Sequence, residues 1–320
     1  MSSVLVGLRP IPVPIPYPMK YVNLVLIEGD GLVLVDSALN TAPARAAIEA
    51  GLRERGAAPG DLDAVVLTHH HPDHYGLAGW FESLGVPVYM LDVAIERDHA
   101  WWSRFEPWLE HSAAHFREHG MPEAFIADLR EVMEATRRRI RPALHPRPLT
   151  DGEHLQLAGQ RFSVYWTPGH ADGHLVLLRD DGALIAGDTI LDRITPNVGK
   201  WVGSRPDPLG DFLRSLEKIR ELEPRLALVG HYGPILRDVP GRIAEIERHH
   251  HSRLQELERA LTTRPRSAWE LSLDLFPQEN LSTAQRRFAW AETLAHLIHL
   301  EQLGRVRALP EIPVRFELVG

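Results

Sequence analysis

The sequence predicts an α/β fold of the α+β kind, interrupted by a helical insertion and closed by a small, mostly helical unit. Three observations carry this. Short apolar runs rich in β-branched residues alternate with Gly/Pro/Asp turns and helical stretches through residues 20–240. Residues 92–148 break that rhythm with helical spacing and no clear strand. Beyond Pro240 the strand signal nearly vanishes.

Each element has its reason. Pro10, Pro12, Pro14, Pro16 and Pro18 alternate near the start. Proline cannot donate to a ladder, so this segment reads as an extended edge. Tyr21–Ile27 and Leu32–Asp36 flank a Glu-Gly-Asp-Gly turn and read as a hairpin. Ala42–Arg55 is helical, and Asp63–Thr68 is a short apolar run that reads as a buried strand. Val86–Leu91 is another strand. The insertion is helical, broken near Gly120-Met121-Pro122, and aromatic: Trp101, Trp102, Phe105, Trp108, Phe116 and Phe125. Strands resume at Leu155–Leu157, Arg161–Trp166, Leu175–Leu178 and Ala183–Ala186. A helix over Asp207–Leu222 and a strand over Leu226–Val229 follow. Gly241–Leu261, Ser267–Leu275 and Thr283–Leu303 are helices, followed by a short extended tail. The chain therefore divides into residues 1–240, with the insertion at 92–148, and residues 241–320.

Composition narrows the chemistry. The 320 residues are 44% hydrophobic and 24% charged, as in a soluble globular chain. There is no cysteine, so disulfides and thiolate ligands are excluded, and a bound metal must be held by His and carboxylate. Eighteen histidines meet that need. The net charge of −8 argues against nucleic acid as the main partner. A small-molecule substrate is expected, and a homodimer is compatible with the composition. Alternating proline cannot form the helical core of a signal peptide, and no stretch is long and apolar enough to span a bilayer. The expected location is cytoplasmic, away from membranes.

The densest chemistry is Thr68-His69-His70-His71-Pro72-Asp73-His74. A spacing of two points His69 and His71 the same way along an extended chain, so both grip one ion. After the turn at Pro72, Asp73 and His74 face a second ion close by. The motif sits at the carboxyl end of a strand, where open α/β sheets place their active sites. Three further ligand motifs each follow an apolar strand: Gly169-His170, Gly187-Asp188 and Gly230-His231. In each, a glycine lets the backbone turn sharply or approach closely.

Taken in order, these motifs resemble the metallo-β-lactamase fold superfamily over residues 20–240, the insertion excepted. The resemblance implies a four-layer αββα sandwich with two divalent ions between its sheets. Zinc is the first expectation, and iron or manganese suit the same ligands. Carried over residue by residue, His69, His71 and His170 would bind the first metal. Asp73, His74 and His231 would bind the second, and Asp188 would bridge them. The implied reaction is hydrolysis by a hydroxide bridging the metals, on a carbonyl substrate: a thioester, a lactone or another ester. Asp73 or Asp188 would orient the water and pass a proton to the leaving group.

The C-terminal unit is similar to that of the β-lactamase-like-2 subgroup, a small winged-helix-like domain. The segments concerned are Gly230–Pro234, Arg242, His249–Arg253 and Leu300–Val306. That likeness, with the basic run Arg137–Arg141, motivates a second function, an endoribonuclease or phosphodiesterase. A metal-stabilised binding or sensor module is a third. The absence of cysteine excludes the zinc penicillinases with a cysteine ligand, and His71 stands where the flavodiiron branch has Glu.

Neighbouring residues receive plainer roles. His70 and His174 read as packing or hydrogen-bonding support, and Asp36 either bonds a ligand loop or caps its strand. His111, His115 and His119 share a helix face and read as a solvated or lid-facing stripe, with an accessory metal site as the alternative. His249–His251 read as surface or inter-domain packing. Trp101, Trp102 and Phe105 would wall a substrate pocket beneath a lid, and Trp201 would line the same pocket; core packing is the competing role.

Overall fold

The computed structural model describes residues 3–98, 101–102, 104–143, 145–276, 279 and 281–319. Residues 99–100, 103 and 144 of the expected insertion lie outside that set. The proline-rich segment forms β1 (Leu8–Pro14), antiparallel to β2 (Tyr21–Glu28) and at the edge of its sheet, where missing N–H donors cost least. β3 (Leu32–Val35) completes the hairpin. Thr41 caps α1 (Ala42–Arg53) by accepting from the Ala44 N–H at 3.3 Å. The buried side of α1, Ala44, Ile48 and Leu52, packs towards β1.

β4 (Ala64–Val66) runs parallel to β3 and leads into α2 (Pro72–Tyr75) and α3 (Ala78–Ser83). β5 (Val88–Leu91) follows. Then come a π-helical turn (Ala94–Asp98), α4 (Phe105–Glu118) and α5 (Glu123–Arg137). The chain returns as β6 (Arg147–Leu149), parallel to β5. The first sheet thus has the order β1-β2-β3-β4-β5-β6. Val22, Leu24, Val25, Leu26 and Ile27 of β2 are all buried, so both faces of this sheet are covered.

The second sheet contains β7 (His154–Leu157), β8 (Gln160–Trp166), β9 (Leu175–Arg179) and β10 (Ala183–Gly187). After α6 (Pro208–Glu221) come β11 (Leu226–Val229) and β12 (Ile235–Leu236). Its order is β12-β11-β10-β9-β8-β7, with only β10 and β11 parallel. α6 makes the crossover that a parallel pair requires. Backbone bonds tie the sheets together beside the metal motifs. The Asn23 N–H donates to Gly230 O at 2.7 Å, and the Leu175 N–H to Thr68 O at 2.9 Å. Two covered sheets with their helices make the α/β fold expected.

The C-terminal part contains α7 (Val239–Ala260), α8 (Ala268–Leu275) and α9 (Thr283–Gln302). Capping boxes start α8 at Ser267/Glu270 and α9 at Ser282/Gln285. The extended tail is more than a tail: β14 (Val306–Leu309) and β15 (Arg315–Leu318) pair with β13 (Arg266–Ser267) in the order β13-β15-β14. Residues of α9 are buried on all sides, because it packs against α5, α6, α7 and α8. Trp290 of α9 is fully buried, with Phe116 and His115 of α4 at 5.1 and 5.6 Å between ring centres.

That packing corrects the expected solvated histidine stripe. His115 and His119 are half-buried against Trp290, and only His111 of the three is exposed. Burial pushes both imidazoles down, to about 4. A helix face can be called solvated only when nothing is known to lie over it, and here α9 covers it. His250 packs between helices: it is fully buried, 3.0 Å from His296 Nε2 of α9 and against Phe212 of α6.

Candidate metal centre

The ligand motifs meet because each is a strand exit. His69–His74 leaves β4, His170 follows β8, Asp188 ends β10 and His231 ends β11. Two glycines permit the approach. Gly169 has φ +134°, and a Cβ there would come within 2.5 Å of the Phe212 backbone. A Cβ on Gly230 would sit 2.1 Å from Asp188 Oδ1 and 2.9 Å from His74 Cε1. Only glycine lets β11 pass this close to the centre.

The seven residues form three overlapping groups, each with ligand atoms within 4.8 Å of one another. These are His69, His71 and His170; His69, His74 and Asp188; and Asp73, His74 and His231. Asp188 lies between the rest: its oxygens are 3.4 Å from His74 Nε2, 3.3 Å from His231 Nε2 and 3.7 Å from His170 Nε2. Asp73 Oδ2 is 3.4 Å from His231 Nε2.

The far side of four of the five rings is tied down. His74 Nδ1–H donates to Asp36 Oδ2 at 2.7 Å, His231 Nδ1–H to Tyr21 O at 2.8 Å, and His170 Nδ1–H to Asn197 O at 2.8 Å. His69 Nδ1 lies 2.9 Å from Thr68 Oγ1, which is itself held by Asp36. The opposite nitrogens therefore turn their lone pairs inward. His69 Nε2 and His71 Nδ1 stand 3.1 Å apart. His74 Nε2, His170 Nε2 and Asp188 Oδ1 are buried without a hydrogen-bond partner. Inward-facing, unbonded N and O donors with their rear atoms fixed are what a divalent ion requires.

Electrostatics divide the rings. Burial holds His69, His71 and His170 below the ordinary imidazole value, so they are neutral ligands. Burial also opposes charge on His74 and His231. There the carboxylates win, Asp188 foremost, and raise them to about 10 and 11 without a metal. Burial alone would raise Asp188 and Asp73. His231 and His74 reverse that, and both carboxyls stay ionised. An ion entering at Asp73, His74 and His231 must therefore displace protons.

The supporting residues are also placed. Asp36, the first residue beyond β3, accepts from the Thr68 N–H at 2.8 Å and holds His74, so it bonds the ligand loop and a ligand ring at once. It does so at φ 68°, a conformation that costs energy in a non-glycine residue. Asp36→Asn should weaken zinc binding by roughly 10–100-fold with little change in fold, read by chelator competition and circular dichroism. His174 is buried; its Nε2 accepts from the Asp188 N–H at 3.1 Å, and its Nδ1 lies 3.0 Å from Thr189 Oγ1. His70 ligates nothing in these groups; its carbonyl accepts from Trp102 Nε1 at 2.9 Å.

The aromatic stripe splits. Trp102 and Phe105 are buried in the core. Trp101 stays half-buried, edge-on to His70 at 4.7 Å and stacked on Trp108 at 5.6 Å. Trp201 is half-buried, beneath Arg287 and against Phe288. Four residues at the site gave no sequence signal. Asn197 holds His170 and donates its amide to Glu292 Oε2 at 2.9 Å. Tyr17 interacts electrostatically with Asp73, and Arg287 with Tyr17. None lies in a motif, and Glu292 and Arg287 come from α9, more than 50 residues beyond the last ligand.

Fold and site together define a metallohydrolase with a His/Asp metal-binding cluster between two sheets. The chain belongs to the metallo-beta-lactamase superfamily, which residues 18–231 match. Residues 254–318 match the metallo-beta-lactamase-like C-terminal domain. The crystal structure of a metallo-beta-lactamase family protein from Thermus thermophilus superposes with a TM-score of 0.90 at 46% identity, covering 99% of this chain and 100% of that one. A probable metallo-hydrolase of Bacillus subtilis (strain 168), YqjP, is 29% identical over 304 residues, 90% of each chain. The beta-lactamase-like protein 2 homolog of Drosophila melanogaster is 27% identical over 162 residues, covering 50% of this chain and 52% of that protein. Among the described residues, no helix is long and apolar enough to cross a membrane.

Proposed function

We propose that the protein hydrolyses a carbonyl substrate, a thioester, lactone or other ester, with two divalent ions, zinc foremost. The supporting observation is the set of fixed rings whose free nitrogens converge on an ionised Asp188. His69, His71 and His170 would hold one ion, Asp73, His74 and His231 the other, with Asp188 between. Ions bound there would make water more acidic and polarise the substrate oxygen.

The chain's own residues do the rest. Asp36 and Thr68 fix the rings of His74 and His69, so the ligands need no rearrangement as charge develops. Asp73, ionised and beside His231, can take a proton at Oδ2 and return it to the leaving group. The net charge of −8 favours a small ester over RNA. So does the place of the basic run. Its backbone braces the ligand segment, Arg141 N–H donating to Gly76 O at 2.8 Å and Gly79 N–H to Arg141 O at 2.8 Å. We read residues 241–320 as a winged-helix-like unit, on the strength of three helices beside a three-stranded sheet. A cytoplasmic location and a homodimer go with this reading.

The test is a panel of acyl-thioesters, lactones and single-stranded RNA, each with and without chelator, on protein whose metal content has been measured. Chelator-sensitive turnover of an ester with two ions per chain is expected. Cleavage of RNA with every ester untouched would overturn the reading.

A further inference from the structure

Among the described residues Arg287 is a cation with no anion paired to it. It projects from α9 and stacks on two rings, Trp201 at 5.0 Å and Phe288 at 4.9 Å. Its Nε is buried without a hydrogen-bond partner. Among the described residues no carboxylate lies within salt-bridge distance of it. A partly buried guanidinium without a counter-charge is costly unless something supplies one. Two arginines of α7 show the contrast: Arg253 pairs with Glu256 at 2.9 Å and Arg242 with Glu245 at 2.7 Å.

A chain of contact links Arg287 to the His170 edge of the metal centre. Phe288, one of the two rings, belongs to the support of His170 through its backbone. Asn197 Nδ2 donates to Phe288 O at 3.3 Å while Asn197 O accepts from His170. Arg287 and Tyr17 also interact electrostatically, as do Tyr17 and Asp73. Arg139, with an exposed side chain, adds positive charge near Tyr17.

We propose that Arg287, stacked on Trp201 and Phe288 at the His170 edge, receives an oxyanion group carried by the substrate, a carboxylate or a phosphate held apart from the bond that is cut. Stacking on two rings holds the planar fork in one orientation, which suits bidentate capture of either group. Such a contact lies away from the reacting carbonyl, so it selects the substrate and positions it. The C-terminal unit then supplies part of the substrate pocket. The inference rests on the hydrolase reading for its catalytic arm only.

The experiment compares metal-loaded wild type, Arg287→Met and Arg287→Lys. Hydrolysis of 4-nitrophenyl hydrogen glutarate and of neutral 4-nitrophenyl butyrate is measured alongside calorimetric binding of glutarate and of glycerol 2-phosphate. Metal-bound anion is common to all three proteins, so differences between them report Arg287. The expected result is at least a tenfold loss of anion affinity in Arg287→Met, partly restored in Arg287→Lys. The glutarate-over-butyrate ratio of kcat/KM should fall similarly, mostly through KM. Whichever anion loses affinity identifies the group as carboxylate or phosphate. Loss of anion binding with neither ester turned over would support the anion site while failing the ester reading. Unchanged affinities and an unchanged ratio in a folded Arg287→Met would overturn the proposal, even with brisk hydrolysis. So would a wild type that binds neither anion.

Discussion

Asp188→Ala should strip the protein of metal and abolish turnover, and no other single change should do as much. Asp188 is the one residue whose oxygens approach ligand nitrogens of His74, His170 and His231 together. Groups that act from behind a ligand cost about 10–100-fold in metal affinity when lost, and a residue that faces the ion itself should exceed the upper end of that range. The metal-free protein should survive. Without Asp188, only Asp36 at His74 and Asp73 at His231 would still oppose burial, and both rings would hold their protons less firmly. Elemental analysis after dialysis, ester turnover and a thermal melt test this. A variant that keeps two ions per chain and normal rates would refute the bridging role.

Mild acid should destabilise the protein steeply through histidines remote from the metal. Burial pushes His115, His119 and His296 down to about 4 and His250 to about 2. In the unfolded chain each titrates near the ordinary value of about 6.5. Below that pH the unfolded chain binds protons that the folded one refuses. Stability is therefore whole above about pH 6.5 and falls as the pH drops towards 4. Each group contributes up to about 1.4 kcal/mol per pH unit. His250 and His296 share a hydrogen bond, and His115 and His119 are half-buried, so the sum must be discounted. A loss on the order of 2–3 kcal/mol between pH 6.5 and 5.5 remains. Arg253, His249 and His299 face His250 and add repulsion once it is charged. Urea midpoints at pH 7.5 and 5.5 check the slope, and His250→Leu/His296→Leu should flatten it. Equal midpoints at both pH values would contradict the burial argument.

Much of the centre was legible because its chemistry is local. The period-two spacing of His69 and His71, the turn at Pro72 and the Gly-ligand pairs at strand exits are properties of neighbouring residues. Those spacings brought seven ligand-type residues to attention before any contact was known. The hairpin, the proline edge strand and the three C-terminal helices were legible for the same reason: period and turn chemistry act over a few residues. The β14–β15 hairpin was harder to read, since its strands are short and β15 is joined by β13 from nearly 50 residues earlier in the chain.

Burial and partnership were not legible. His115 and His119 looked like a solvated stripe because helical spacing says which residues share a face, not what covers it. Trp101, Trp102 and Phe105 looked equivalent, yet Trp102 and Phe105 are core while Trp101 rests on His70. The sequence by itself determined the ligand chemistry and the order of the elements, because both follow from covalent neighbours. Only the tertiary structure decided which histidines are buried and beside carboxylates, which rings are held from behind, and that α9 stacks Arg287 on Trp201. Those depend on desolvation and on charges adjacent in space, to which separation along the chain gives no guide.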